Sequence, residues 1–173
     1  MTRTLLVIDM IVGFLDPEKP LYVDHEAARI VSRVEELIIR EKDKGSNVVF
    51  VADNHDPDDL EFQMFPKHCV RGTDETDVIH QLAPYVEEVL QKRRYSAFFD
   101  TDLEQRLGIL GTDELILCGV CTDICVMHTA ADARNRDITV EVISDAVASF
   151  NQSAHNYAIE HMRDILGVRI IEQ

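Results

Sequence analysis

Leu5-Leu6-Val7-Ile8-Asp9 is the stretch on which the fold turns: four apolar residues in succession, closed by a carboxylate. An unbroken apolar run, unlike an alternating one, is what a strand buried on both faces of a parallel sheet requires. The pattern recurs at 47–52, 114–118 and 138–143, each with similar length and β-branched content and each running into a polar or glycine-containing turn. Weaker repeats lie at 87–91 and 168–171. Between the strands the period changes. Over 26–44, Ile30, Val34, Leu37 and Ile38 recur at spacings of three and four, Asp24 is placed to cap the start, and Gly45 stops the run. Helices are further predicted over 75–82, 102–110, 123–135 and 153–166. Strands and helices that alternate in this way build βαβ units, hence an α/β fold with a parallel sheet covered by helices on both faces.

The 173 residues fit one domain over 1–173, since single cores usually serve about 100 to 200 residues. A hydrophobic fraction of 46% supplies a sizeable core. The formal charge of −15 argues against nucleic acid or an anionic membrane as partner and leaves a small molecule. No export signal precedes the first strand, and no apolar run is long enough to span a bilayer. The four cysteines, Cys69, Cys118, Cys121 and Cys125, therefore read as reduced thiols of a cytoplasmic protein.

In an open α/β sheet, ligands bind beyond the carboxyl ends of the strands. Asp9, Asp53, His55, Lys92 and the segment from Cys121 to Cys125 all fall there. Cys125 lies where a strand turns into a helix, a setting that lowers a thiol's pKa and presents free N–H groups to an oxyanion. The alternative is a buried structural cysteine, the commoner fate of such a residue. Asp9 closes an apolar run and is costly to bury without a partner, so it is either a turn-capping residue or a carboxylate that exchanges a proton with a thiol. Lys92-Arg93-Arg94 is a solvated basic cluster or the source of one cation for the pocket. The irregular stretch 53–72 gathers Asp53, His55, Glu61 and His68, mixed N and O donors suited to zinc, manganese or iron. The other five histidines, His25, His80, His128, His155 and His161, lie on predicted helices or their ends and receive no role.

At these residues the sequence resembles the isochorismatase-like cysteine hydrolases, and among them most of all the nicotinamidases. The matching pieces span the chain: Val7-Ile8-Asp9 with Phe14, Asp53-x-His55, Phe65-Pro66-x-His68, Lys92 to Phe98, and Gly119 to Val126. The resemblance implies a doubly wound, Rossmann-like sheet of six parallel strands. It assigns a catalytic triad to Asp9, Lys92 and Cys125, and an oxyanion hole to the N–H groups of Cys121 and Cys125, with a cis peptide joining Val120 to Cys121. It also implies one divalent metal, zinc first, on Asp53, His55 and His68, with Glu61 as a fourth ligand found in only some nicotinamidases. Phe14, Phe65 and Tyr95 would wall a flat ring, and the assembly would be a homo-oligomer. The implied reaction is hydrolysis of nicotinamide, or a related carboxamide such as pyrazinamide, through a thioester. Two departures bear on the substrate: Met10-Ile11-Val12-Gly13 stands where nicotinamidases often carry Gln and Asp, and Asn54 fills the place of an aromatic in the metal loop. A metal-independent hydrolase of another small amide or enol ether, or a silent binding protein of the same fold, are the alternatives.

Overall fold

The computed structural model describes residues 1–172. Six strands, β1 (Arg3–Ile8), β2 (Asn47–Asp53), β3 (Val89–Lys92), β4 (Glu114–Val120), β5 (Thr139–Ala148) and β6 (Arg169–Ile171), form one parallel sheet in the order β3-β2-β1-β4-β5-β6. The order reverses between β1 and β4. This is the switch point of a doubly wound sheet, where the turns leaving two neighbouring strands diverge and open a crevice.

The apolar run explains itself in the packing. Leu5 and Val7 enter one core layer with Phe50, Ile116 and Cys118, whereas Leu6 and Ile8 enter the other with Val51, Leu115 and Leu117. Successive strand residues face opposite sides, so a strand with a core on each side has no polar face. All four are fully buried, each burial worth about 1.5–3 kcal/mol. The first layer is closed by α1 (Val12–Leu15), α2 (His25–Arg29) and α3 (Val31–Asp43), through Phe14, Ala27, Val34, Leu37 and Ile38. The second is closed by α4 (Leu103–Leu110), α5 (Met127–Arg134) and α6 (Gln152–Asp164), through Leu103, Leu107, Ala130, Ala133 and Met162. Among the described residues no helix is long and apolar enough to cross a membrane.

Three expectations are corrected. The helix over 26–44 is two helices that meet at Ile30, where ψ opens to −9° within the right-handed helical region and Val34 N–H restarts the ladder on the Ile30 carbonyl at 2.8 Å. Asp24 does accept from His25 N–H, and Gly45 adopts φ +78° at the far end. The helix over 75–82 does not form; only a short 3₁₀ turn, Asp74–Thr76, lies there. The backbone of that segment is engaged elsewhere: Val12 N–H donates to the Asp77 carbonyl at 2.9 Å, and Ile79 N–H donates to that of Met10 at 3.2 Å. Finally, the strand over 138–143 runs on to Ala148, past the half-buried Ser144 and Asp145, and pairs Val147 and Ala148 with Gly119 and Val120 across a register shift.

Candidate active site and metal centre

Asp9, Asp53 and Lys92 are each delivered by the end of a strand. Asp9 follows β1 in a left-handed conformation, φ 54°, a costly geometry for a residue with a side chain. It is held by its N–H donating to the Val51 carbonyl at 2.9 Å and by Asp53 N–H donating to Asp9 Oδ1 at 3.0 Å. Lys92 closes β3, next to β2, in register with Asp53. Beyond β4, the peptide from Val120 to Cys121 is cis, and the chain winds through a single wide turn, Thr122–Val126, before α5. Ile124 and Val126 both donate N–H to the Cys121 carbonyl at 3.1 Å. Cys125 therefore sits one turn ahead of α5, on the wall of the crevice.

The ammonium of Lys92 lies at the centre of the polar cluster. It pairs with Asp9 Oδ2 at 2.9 Å, with Asp53 Oδ1 in a closer contact, and reaches Cys125 Sγ at 3.3 Å, with all of these side chains buried. Burial works against the charge of Lys92, but Asp53, Asp9 and the sulfur outweigh it and keep the amine cationic. Asp53 is held at about 2 despite its burial, because Lys92 and His55 favour its anion. Asp9 is raised to about 6 by burial and by the neighbouring Asp53 charge, against the pull of Lys92. The thiol departs from the sequence expectation. Burial pushes Cys125 well above an ordinary cysteine even with Lys92 opposing, and Asp9 and Asp53 add to the rise. The resting group is thus a thiol hydrogen-bonded to Asp9, not a thiolate formed at a helix N-terminus.

Next to this cluster lies the second one. Ligand atoms of Asp53, His55 and His68 lie within 4.8 Å of one another. His55 Nε2 is 3.7 Å from Asp53 Oδ2 and 4.0 Å from Glu61 Oε1, and His68 Nε2 is also 4.0 Å from Glu61 Oε1. His55 Nε2 and Glu61 Oε2 are buried without any hydrogen-bond partner, a costly state for polar atoms unless something binds them. Both imidazoles engage their other nitrogen: His68 Nδ1 with the Pro66 carbonyl at 2.7 Å and His55 Nδ1 with Asp59 Oδ2 at 3.2 Å. Metal-ligating histidines are oriented in this manner. Burial keeps His68 neutral at ordinary pH, as a ligand must be. The donor set therefore fits a divalent cation of the zinc, manganese or iron type, with Glu61 in place as a fourth donor.

Both clusters contribute residues to one pocket. Phe14, Phe65 and Tyr95 line it as expected, and Asp9, Cys121 and Cys125 line it too. Leu21, Ile124 and Phe150 complete the wall and were not anticipated. Phe150 lies just beyond the carboxyl end of β5, but the strand predicted from sequence ends at 143, so Phe150 carried no signal. Phe62 was likewise missed; it sets its ring edge against both imidazoles, 5.4 Å from His55 and 5.5 Å from His68. Arg93 and Arg94, the alternatives to Lys92, point elsewhere: Arg93 pairs with Asp100 at the surface and Arg94 with Asp59. Cys69 and Cys118 are buried outside the pocket.

Comparison with known proteins supplies independent findings. The Isochorismatase domain family matches residues 3–171. An "Uncharacterized isochorismatase family protein PncA" of Bacillus subtilis (strain 168) is 36% identical, with 99% of this chain and 100% of that protein covered. Among solved structures, the pyrazinamidase/nicotinamidase of Streptococcus mutans UA159 superposes with a TM-score of 0.94 at 35% identity, covering 98% of this chain and 100% of the other. The pyrazinamidase of Pyrococcus horikoshii, solved in complex with zinc, superposes at 0.89 with 29% identity and full coverage of both chains.

Proposed function

Since the chain belongs to the isochorismatase family of hydrolases, we propose that it is an amidohydrolase that converts nicotinamide, or a closely related ring carboxamide such as pyrazinamide, to the acid and ammonia. The observation that carries the reading is the sharing of one pocket by Cys125 and the donors Asp53, Glu61 and His68, with the buried His55 grouped with Asp53 and His68. Asp53, His55, Glu61 and His68 would hold a divalent ion, zinc in the first instance, which would supply a binding point for the ring nitrogen of such an amide. A flat heteroaromatic ring between Phe14, Phe65 and Tyr95 would then have its carboxamide directed at the sulfur, a gain from positioning.

The chain's own residues perform the chemistry. As Cys125 Sγ attacks the carbonyl carbon, Asp9 accepts the thiol proton; its carboxyl at about 6 is matched to exchanging protons near neutrality. Lys92, cationic between Asp9, Asp53 and sulfur, stabilises the charge as it moves. The N–H groups of Cys121 and Cys125 hold the oxyanion. Collapse of the tetrahedral adduct breaks the C–N bond, and Asp9 returns its proton to the departing nitrogen, which leaves as ammonia. A water, deprotonated by Asp9, cleaves the thioester, releases the acid and restores the thiol.

The charge of the wall favours an uncharged substrate. Asp9, Asp53 and Glu61 line the pocket and no Arg or Lys does so among the described residues; Lys92 beside them is already paired with Asp9 and Asp53, so without a metal an enol ether bearing carboxylates would meet like charge and no unpaired cation. Four free, buried thiols suit a cytoplasmic enzyme. An ammonia-release screen tests the reading: nicotinamide and pyrazinamide should be hydrolysed well and aliphatic amides poorly. Preference for an aliphatic amide, or turnover of a carboxylated enol ether alone, would overturn it.

A further inference from the structure

His55 and Glu61 reach the metal-type cluster from outside the strands and α-helices, His55 from an isolated bridge to Val70 and Glu61 from a short 3₁₀ turn, and this backbone pairing does not by itself fix their side chains. Asp59 does so instead. Its side chain is 4% exposed, and its two oxygens are shared among three elements of the site. Oδ2 meets His55 Nδ1 at 3.2 Å, Oδ1 accepts from Glu61 N–H at 2.9 Å at the start of the short 3₁₀ turn Leu60–Gln63, and both oxygens accept from Arg94 Nη1 at 2.8 Å. Asp59, His55 and Glu61 also form a group that is dense enough to be read as a metal site in its own right. The geometry is against that, because both Asp59 oxygens are already engaged and the imidazole offers it Nδ1. His55 Nε2, free of any hydrogen bond, faces Asp53 and Glu61 on the opposite edge of the ring.

We infer that Asp59 is a positioning residue, not a ligand: it accepts the Nδ1–H of His55, thereby leaving Nε2 as the donor, and fixes the turn that presents Glu61. Arg94 anchors Asp59 to the chain only two residues beyond Lys92, and Tyr95, on the pocket wall, follows it. One buried carboxylate thus ties two metal donors to the strand that carries the candidate catalytic cation. The inference rests on the metal reading proposed above, and its test separates the two.

Zinc affinity of the full chain is measured by competition with a chromophoric chelator for the wild type, Asp59→Asn, and the surface control Asp56→Asn, whose side chain pairs with Arg71 on the same loop. Asn keeps the size of Asp59 but replaces one acceptor oxygen by a donor. Loss of such a partner weakens metal binding by roughly 10–100-fold, and this is expected for Asp59→Asn and not for Asp56→Asn. The second readout is ¹⁵N-resolved NMR of the zinc-loaded protein. The Nδ1–H of His55 should resonate far downfield in the wild type and move upfield in Asp59→Asn, while the Nδ1–H of His68, bonded to the Pro66 carbonyl, stays. A wild type that binds no zinc overturns the metal reading, and this inference with it. Zinc bound equally by wild type and Asp59→Asn, or His55 ligating through Nδ1, overturns the positioning role alone. The wild-type spectrum decides the latter even if the variant does not fold.

Discussion

At the scale of single residues, the distance set around Lys92 Nζ separates readings that the sequence left open. Lys92 contacts Asp9, Asp53 and Cys125, whereas Arg93 meets a surface aspartate. Lys92→Met should therefore lower kcat by about 10³-fold or more, in the range of lost acid–base and charge-stabilising groups, while Arg93→Met stays near wild type in a steady-state assay. The opposite order would shift the cation's assignment by one residue. Cys125→Ala should abolish turnover with the circular dichroism spectrum unchanged, and Cys118→Ser, outside the pocket, should retain most activity. Asp9, Asp53, His55, His68, Lys92 and Cys125 were legible because each is a charged or nucleophilic residue at the end of an apolar run or in a donor-rich loop. Asp59 was not, since nothing in one more aspartate of an acidic loop marks it as buried and triply engaged. Nor could the sequence weigh burial against a nearby cation. That balance makes Cys125 a resting thiol.

At the scale of elements, the crevice depends on how closely β1 and β4 approach where they diverge. Gly119, at φ +109°, packs against the end of β1, and a Cβ there would fall 2.0 Å from the Ile8 carbonyl oxygen. Both the conformation and the space exclude a side chain. Gly119→Ala should cost about 3 kcal/mol or more, checked by urea denaturation, and should displace Asp9 from Cys125. Gly13 plays a similar part on α1, where a Cβ would lie 2.5 Å from Cys69 Sγ and push away the loop that carries His68. The strands were read well because a two-sided core demands unbroken apolar runs. The segment over 75–82 was misread because its helical period is real but its backbone is claimed by Met10 and Val12, a contact across more than sixty residues that no local pattern contains. The halt at Ser144 and Asp145 has the same origin: polar residues at a half-buried position looked like a turn, and only pairing with β4 shows that the strand continues.

At the scale of the molecule, the two ends of the sheet do different work. Around the amino end of β1, Arg3 pairs with Glu41, Glu114 and Glu141, and Arg169 with Glu114 and Glu141, far from the site. Glu41 is held below the ordinary carboxylate range. Its burial opposes ionisation, but hydrogen bonds from Lys44 and Ser46 and the charge of Arg3 prevail. A lowered native pKa adds stability above the unfolded value, near 4.5, and loses it as pH falls through the native one. Glu41→Gln should therefore be less stable than wild type by about 1–2 kcal/mol at pH 7, with the gap closing below pH 4.5 in thermal melts; a gap that widens in acid would reverse the sign of the pairing. The carboxyl end concentrates the chemistry, and there the central claim is that metal donors and thiol act on one ring carboxamide. Its most direct measurement pairs zinc content with ammonia release from nicotinamide and from benzamide, before and after chelation and after zinc is restored. The expected result is one zinc per chain, nicotinamide turnover that falls on chelation and returns with zinc, and benzamide, which lacks the ring nitrogen, a poor substrate throughout. A folded protein without stoichiometric metal that hydrolyses nicotinamide and benzamide equally well, and is indifferent to chelation, would contradict it.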